Sequence, residues 1–157
     1  MATFVIESNG RIEKTAVYYN GEQIGGLKEV MLNLDEEGTF DAVLQYEGTN
    51  GEIYSKSIFE DFLDNLKVVE PTFSEEEASY LTQFVIESDG DIENTNLFLN
   101  DEPMDGVVRL FVHIKSTKST TGGIASIFKK NIPTDVEFKS EITYRNEDNT
   151  LETERIF

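Results

Sequence analysis

The chain contains a second version of its own first third. Phe4-Val5-Ile6-Glu7-Ser8 returns as Phe84-Val85-Ile86-Glu87-Ser88. At the same offset of 80, Gly10, Ile12, Glu13, Thr15, Asn20, Glu22 and Gly26 match Gly90, Ile92, Glu93, Thr95, Asn100, Glu102 and Gly106. Aligned as 4–34 on 84–114, 12 of 31 positions are identical, and others swap like for like, Tyr18 with Phe98 and Leu34 with Ile114. The remainder aligns at an offset of 98, where Phe40, Tyr46, Ile58 and Phe59 meet Phe138, Tyr144, Ile156 and Phe157. The step between the two offsets places about 18 extra residues in the second copy, near 116–133. A fold that houses this chain has to house the same unit twice.

Each copy reads as β-structure. Val30, Leu32 and Leu34 alternate with more polar neighbours, as do Phe40, Ala42, Leu44 and Tyr46. Leu110, Val112, Ile114 and then Val136, Phe138, Ile142, Tyr144 repeat the pattern. A period of two is what a half-buried strand requires, because successive side chains point to opposite faces. Asn9-Gly10, Asn20-Gly21, Asn50-Gly51 and Asp89-Gly90 supply the positive φ of tight turns. Gly25-Gly26 inside a strand pattern implies a bulge or a corner. Strands are expected near 3–8, 11–19, 22–34, 40–47 and 52–59, and near 83–88, 91–99, 103–115, 135–145 and 150–157. Ser74 with Glu77 three residues on is a capping-box pattern, so a short helix is expected at 74–83, with Glu75, Glu76 and Glu77 at its favourable end.

The expected fold class is therefore all-β with minor α. Two tandem β-meander modules of about five strands pack as a pseudo-symmetric sandwich or as a pair of small barrels, with one short connector helix. Residues 1–59 form copy one, 60–83 the connector, and 84–157 copy two with its insertion near 116–133. At roughly 75 residues per copy, shared packing is favoured over independent folding.

Composition narrows the function classes. Cysteine is absent, which removes thiolate chemistry, disulfides and cysteine-based zinc sites. No apolar run approaches the roughly 20 residues of a membrane span, and the first residues carry no signal-peptide pattern. The expected location is cytoplasmic, with no membrane partner. Thirty-one acids against 13 bases give a formal charge of −18. Such a charge keeps a protein soluble and disfavours direct contact with nucleic acid or anionic lipid.

No catalytic motif is complete. His113 is the single histidine and stands mid-strand, where Asn33 stands in copy one, so a surface or packing role is expected. Asp89-Gly90-Asp91-Ile92-Glu93 opens like a calcium loop, but Asn94 and Asn100 stand where that loop needs Gly and Glu. Ser116 to Gly123 offers phosphate-binding residue types with the glycines after the lysine, the reverse of a P-loop. With 31 acids, paired carboxylates carry no specificity. Neither cofactor nor metal is expected.

Two features point to protein contacts. The insertion and its flanks hold Lys115, Lys118, Lys129 and Lys130 and no acid, together with Ile124, Ile127 and Phe128 at helical spacing. This is either a plain loop or a docking element with an apolar face and a basic rim. The acids gather in turns and connectors: Asp35, Glu36, Glu37, Glu60, Asp61, Glu75, Glu76, Glu77, Asp101 and Glu102, with a further pair at Glu147 and Asp148. The leading functional expectation is a non-enzymatic acidic interaction module, in its sharpest form a nucleic-acid-mimicking decoy or inhibitor that takes a protein partner with a basic surface. A structural or assembly protein of a phage-like particle, in which copies associate basic loop to acidic body, is the alternative. A carboxylate- or metal-dependent enzyme is a more distant one.

Overall fold

In the computed structural model, which describes residues 1–116 and 136–157, the chain forms two antiparallel sheets around one core. Copy one supplies β1 (Ala2–Ser8), β2 (Thr15–Tyr19), β3 (Glu22–Gly25), β4 (Leu27–Asp35), β5 (Phe40–Glu47) and β6 (Ile53–Ser57). The connector adds β7 (Lys67–Val68) and helix α1 (Glu75–Ala78). Copy two supplies β8 (Thr82–Ser88), β9 (Asn96–Leu99), β10 (Glu102–Pro103), β11 (Val107–Ser116), β12 (Val136–Arg145) and β13 (Leu151–Arg155).

The seven-stranded sheet runs β10-β9-β8-β1-β2-β3-β7, and the six-stranded sheet runs β13-β12-β11-β4-β5-β6. Of the two packings open at sequence level, the sandwich is the one observed. Each copy gives its first three strands to one sheet and its last three to the other. The copies join in both sheets through equivalent strands. β1 pairs with β8 about Val5↔Val85, so that Phe4↔Ile86 becomes Ile6↔Phe84 when the copies are exchanged. β4 pairs with β11 about Leu32↔Val112, and Leu34↔Leu110 becomes Val30↔Ile114. A single pseudo-two-fold axis through these two pairs relates the halves.

The alternation in the sequence sets which side chains go inside. Phe4, Ile6, Phe84 and Ile86 from one sheet meet Leu32, Leu44, Leu110 and Val112 from the other, all fully buried. Burial of each such side chain contributes roughly 1.5–3 kcal/mol. The weaker tail alignment is also realised in space. Phe40 packs edge-on against Phe59 at 5.9 Å, and Phe138 packs against Phe157 at 6.0 Å.

The expected long strands at 22–34 and 103–115 are each broken at a glycine. Gly26 (φ +72°) and Gly106 (φ +71°) turn the chain from one sheet into the other. At these corners the Glu47 amide donates to the Gly26 carbonyl and the Arg145 amide to the Gly106 carbonyl, each at 2.8 Å. The expected strands at 11–19 and 91–99 begin with 3-10 turns, Ile12–Lys14 and Ile92–Asn94. The connector helix is much shorter than 74–83. Its capping box forms, with Glu77 N donating to Ser74 Oγ at 3.1 Å and Ser74 N donating to Glu77 Oε1 at 3.3 Å. Thr82 already pairs with Ser8, and this sheet register ends the helix.

The connector makes the two halves unequal. In copy one, β7 covers β3 through Ile24↔Val68 and Gly25↔Lys67, and the Gln23 amide exchanges two 2.8 Å hydrogen bonds with Thr72. In copy two, the equivalent strand β10 is the sheet edge and carries Pro103, a residue that blocks further pairing.

Candidate functional site

The turns after equivalent strands fall at opposite ends of the sandwich, because the pseudo-axis reverses strand direction. One end holds the β4–β5 turn at 35–39, the β8–β9 loop at 89–95 and the β12–β13 turn at 146–150. Each contains an aspartate locked by its own turn. Asp35 Oδ1 accepts from the amides of Glu37 and Thr39, both at 3.0 Å. Asp89 Oδ1 accepts from the Asp91 amide at 2.9 Å, and its Oδ2 accepts from Asn94 Nδ2 at 2.9 Å. Asp148 Oδ1 accepts from Thr150 Oγ1 at 2.6 Å and from the Thr150 amide at 3.1 Å. These bonds hold the three carboxyl groups below the usual carboxylate range. The Thr39 amide leads for Asp35, the Asp91 amide for Asp89 and the Thr150 hydroxyl for Asp148.

Two of the equivalent turns at the other end are built the same way without the charge, and the third lies outside the described residues. Asn9 Oδ1 accepts from the Arg11 amide and Asn50 Oδ1 from the Glu52 amide, both at 3.1 Å. Asn9 corresponds to Asp89, Asn50 to Asp148, and Lys115 to Asp35. Three pseudo-equivalent positions are thus anionic at one end and neutral or cationic at the other. Turn geometry does not require this, since Asn and Asp close the same turn.

Between the sheets at the aspartate end lies a cavity of about 390 Å³. Its apolar wall includes Leu34, Leu97, Met104 and Val107, and Asp35, Glu36, Asp105 and Arg109 also line it. Glu36 is fixed there by Arg145, whose Nη2 lies 2.8 Å from Glu36 Oε1, and by its own amide, which donates to the Val108 carbonyl at 2.9 Å. The pseudo-equivalent cavity at the other end, lined by Ile12, Gln23, Ile24, Leu27 and Ile114 among others, measures about 200 Å³. Gln23, which lines this smaller cavity, is tied to Thr72 of the connector, whereas Pro103 in its place is at a free edge.

The acids expected to form a surface are divided. Asp35, Glu36 and Glu37 belong to the aspartate end. Glu60 and Asp61 lie there too, with Glu60 Cγ 3.0 Å from where a Cβ on Gly90 would stand and Asp61 Oδ2 accepting from the Ser57 amide at 2.7 Å. Glu75, Glu76 and Glu77 on α1, Asp101 in the β9–β10 turn and Glu102 at the start of β10 sit towards the opposite end of the seven-stranded sheet. Asn100, beside that turn, is bonded to the Gln83 backbone at the start of β8, about 20 Å of strand from Asp89. In the sequence Asp89 reads as part of a tight turn and Asp148 as one of the clustered turn acids, and neither stands among the expected surface residues. The signal for them was the alignment itself, which shows Asn9 against Asp89 and Asn50 against Asp148.

Of the basic-loop residues, Lys115 is exposed at the end of β11, between Glu29 on β4 and Glu137 on β12. Lys118, Ile124, Ile127, Phe128, Lys129 and Lys130 lie outside the described residues. His113 is clamped, with Nε2 2.7 Å from Glu29 Oε2 and Nδ1 3.1 Å from Glu137 Oε2. Among the described residues, no helix is long and apolar enough to cross a membrane. No family model, curated protein or solved structure matches the chain.

Proposed function

We propose that the chain is a non-enzymatic, acidic protein-binding module whose aspartate end takes a partner with a basic surface, in the manner of a nucleic-acid-mimicking decoy or inhibitor. One observation carries this reading. Asp35, Asp89 and Asp148 stand at one end, and their pseudo-equivalent positions are Lys115 at the end of β11 and the turn residues Asn9 and Asn50. Each carboxylate is pre-positioned by its turn, so little side-chain ordering opposes binding. A rigid carboxylate presents acceptor oxygens to Lys and Arg much as a phosphate does.

The test is capture from the native host with wild type and with the triple variant Asp35→Asn, Asp89→Asn, Asp148→Asn, at low salt and near 0.5 M, where exposed charge pairs are screened. The expected result is a basic partner retained by wild type at low salt and lost both at high salt and with the triple variant. Equal capture by both proteins at both salts overturns the reading.

A further inference from the structure

The outer face of the six-stranded sheet is charged in opposite senses on its two halves. On β4 and β5 the outward positions, between the buried alternates, hold Glu29, Asp35 and Asp41 and no base. Lys28, the extra residue of the β4 bulge, lines the smaller cavity. The pseudo-equivalents of the three acids on β11 and β12 are Arg109, Lys115 and Lys139. Edge strand β13 adds Arg155 where β6 has Ser57. Glu137 and Glu141 also lie on copy two's half, which stays net positive with four bases against two acids. Glu47 and Arg145 reverse in the same way at the corners but already hold Lys67 and Glu36. Among the described residues, none of Arg109, Lys115, Lys139 and Arg155 makes an ion pair. The other sheet shows no such split. There Val5, Glu7 and Tyr18 have Val85, Glu87 and Phe98 as equivalents, alike in charge in both halves.

We propose that the split face is a homodimer interface, a second copy stacking on it about a two-fold axis that runs along the seam between β4 and β11. Within one chain Lys115 lies across that seam from Glu29, and Arg109 across from Asp35. The axis exchanges the two strands, so Glu29 of each copy comes over Lys115 of the other, and Asp35 over Arg109. An axis across the strands would set Glu29 over Asp35 and Arg109 over Lys115, like on like. Charge thus selects one orientation, and each contact occurs twice, as an isologous interface requires. Glu29 gives one oxygen to His113 and keeps the other for this contact. Half-buried Met31, Val43 and Phe111 supply an apolar middle, with Arg109 and Lys139 at 5.9 and 5.6 Å from the Phe111 ring. Six strands of these lengths present about 700–800 Å² per copy, close to the roughly 800 Å² per partner of a standard interface. The body's overall repulsion does not forbid this, since the Debye length is about 8 Å at physiological salt while paired groups sit in contact.

This goes beyond the function proposed above, because the partner is the chain itself. The experiment is sedimentation velocity of the purified full chain across a concentration series, at about 0.15 M and about 0.5 M salt. Wild type is expected to pass from monomer to dimer and stop there, with weaker association at the higher salt. Lys115→Glu with Lys139→Glu makes both halves of the face net acidic, and Glu29→Lys with Asp41→Lys makes both net basic. Each variant alone is expected to dimerise at least about tenfold more weakly, because like charges then meet. Mixed one to one, the two regain a dimer, since every acidic half again finds a basic one. A wild type that stays monomeric throughout the series overturns the proposal. So do growth past the dimer and a mixture that associates no more tightly than its components. If a charge variant fails to fold, Phe111→Ser decides: a dimer weakened about tenfold supports the interface, and an unchanged one places the contact elsewhere. The charge variants keep Asp35, Asp89 and Asp148, so capture of a basic partner by them reads the decoy function separately from self-association.

Discussion

The two corner glycines offer a test that uses the pseudo-symmetry as its own control. Gly26 and Gly106 occupy equivalent corners with φ of +72° and +71°. Replacing either with Ala puts a side chain into the left-handed region, at a cost of about 1–2 kcal/mol. The surroundings then differ. A Cβ at Gly26 stands 2.6 Å from the Glu47 carbonyl oxygen, a backbone atom that cannot swing away, whereas a Cβ at Gly106 stands 3.2 Å from the Arg145 carbonyl oxygen. Relieving the closer approach strains or breaks the Glu47 N–H···O bond to Gly26, which adds about 1 kcal/mol. Gly26→Ala is therefore expected to cost about 2–4 kcal/mol and Gly106→Ala about 1–2 kcal/mol. Urea unfolding followed by far-UV circular dichroism reads both, and for a chain of this size each kcal/mol corresponds to about 2–4 °C in Tm. A Gly106→Ala loss equal to or larger than that of Gly26→Ala refutes the reasoning, and so does neutrality of both.

Three further outcomes follow from the same contacts. Tyr46 is fully buried and its hydroxyl donates to the Asp64 carbonyl at 2.7 Å, so Tyr46→Phe should cost about 0.5–1.5 kcal/mol in denaturant melts. Leu32, fully buried on the pseudo-axis, should lose about 2–5 kcal/mol on truncation to Ala, and an unchanged denaturation midpoint would show that it is not in the core. Asp35, Asp89 and Asp148 have folded pKa values below the ordinary one, so the stability they supply is full above the unfolded pKa near 3.9 and drains away as pH falls through that value towards the lowered folded ones. Replacing all three with Asn should flatten the loss of stability between about pH 5 and pH 3, and an acid limb identical to wild type would show that the turn bonds do not hold them ionised.

The sequence made the inside of the sandwich legible and its neighbours illegible. Alternation at 30–34 and 110–114 identified Leu32 and Val112 as buried, but alternation says only which face is covered. It does not say which strand lies alongside, and the pairings of β1 with β8 and β4 with β11 had no local signature. Gly26 was readable as a bulge or corner, since a glycine pair inside a strand pattern permits little else. The Ser74–Glu77 capping box was readable because it is local, while the helix length was not, because Thr82 is claimed by Ser8 across the sheet. At the site, Asp35 and Glu36 were visible as turn acids. The polarity of the molecule was not, because it appears only when the pseudo-axis sends equivalent turns to opposite ends.

The way the halves join has a consequence for synthesis. β1 and β4 lie at the middle of their sheets, and their partners β8 and β11 come from the second copy. While only the first copy has emerged from a ribosome, both strands present bare hydrogen-bonding edges over an unsealed core. The linker of two dozen residues then acts as a tether. It supplies the missing half at millimolar effective concentration and turns an encounter between two molecules into the closing of one.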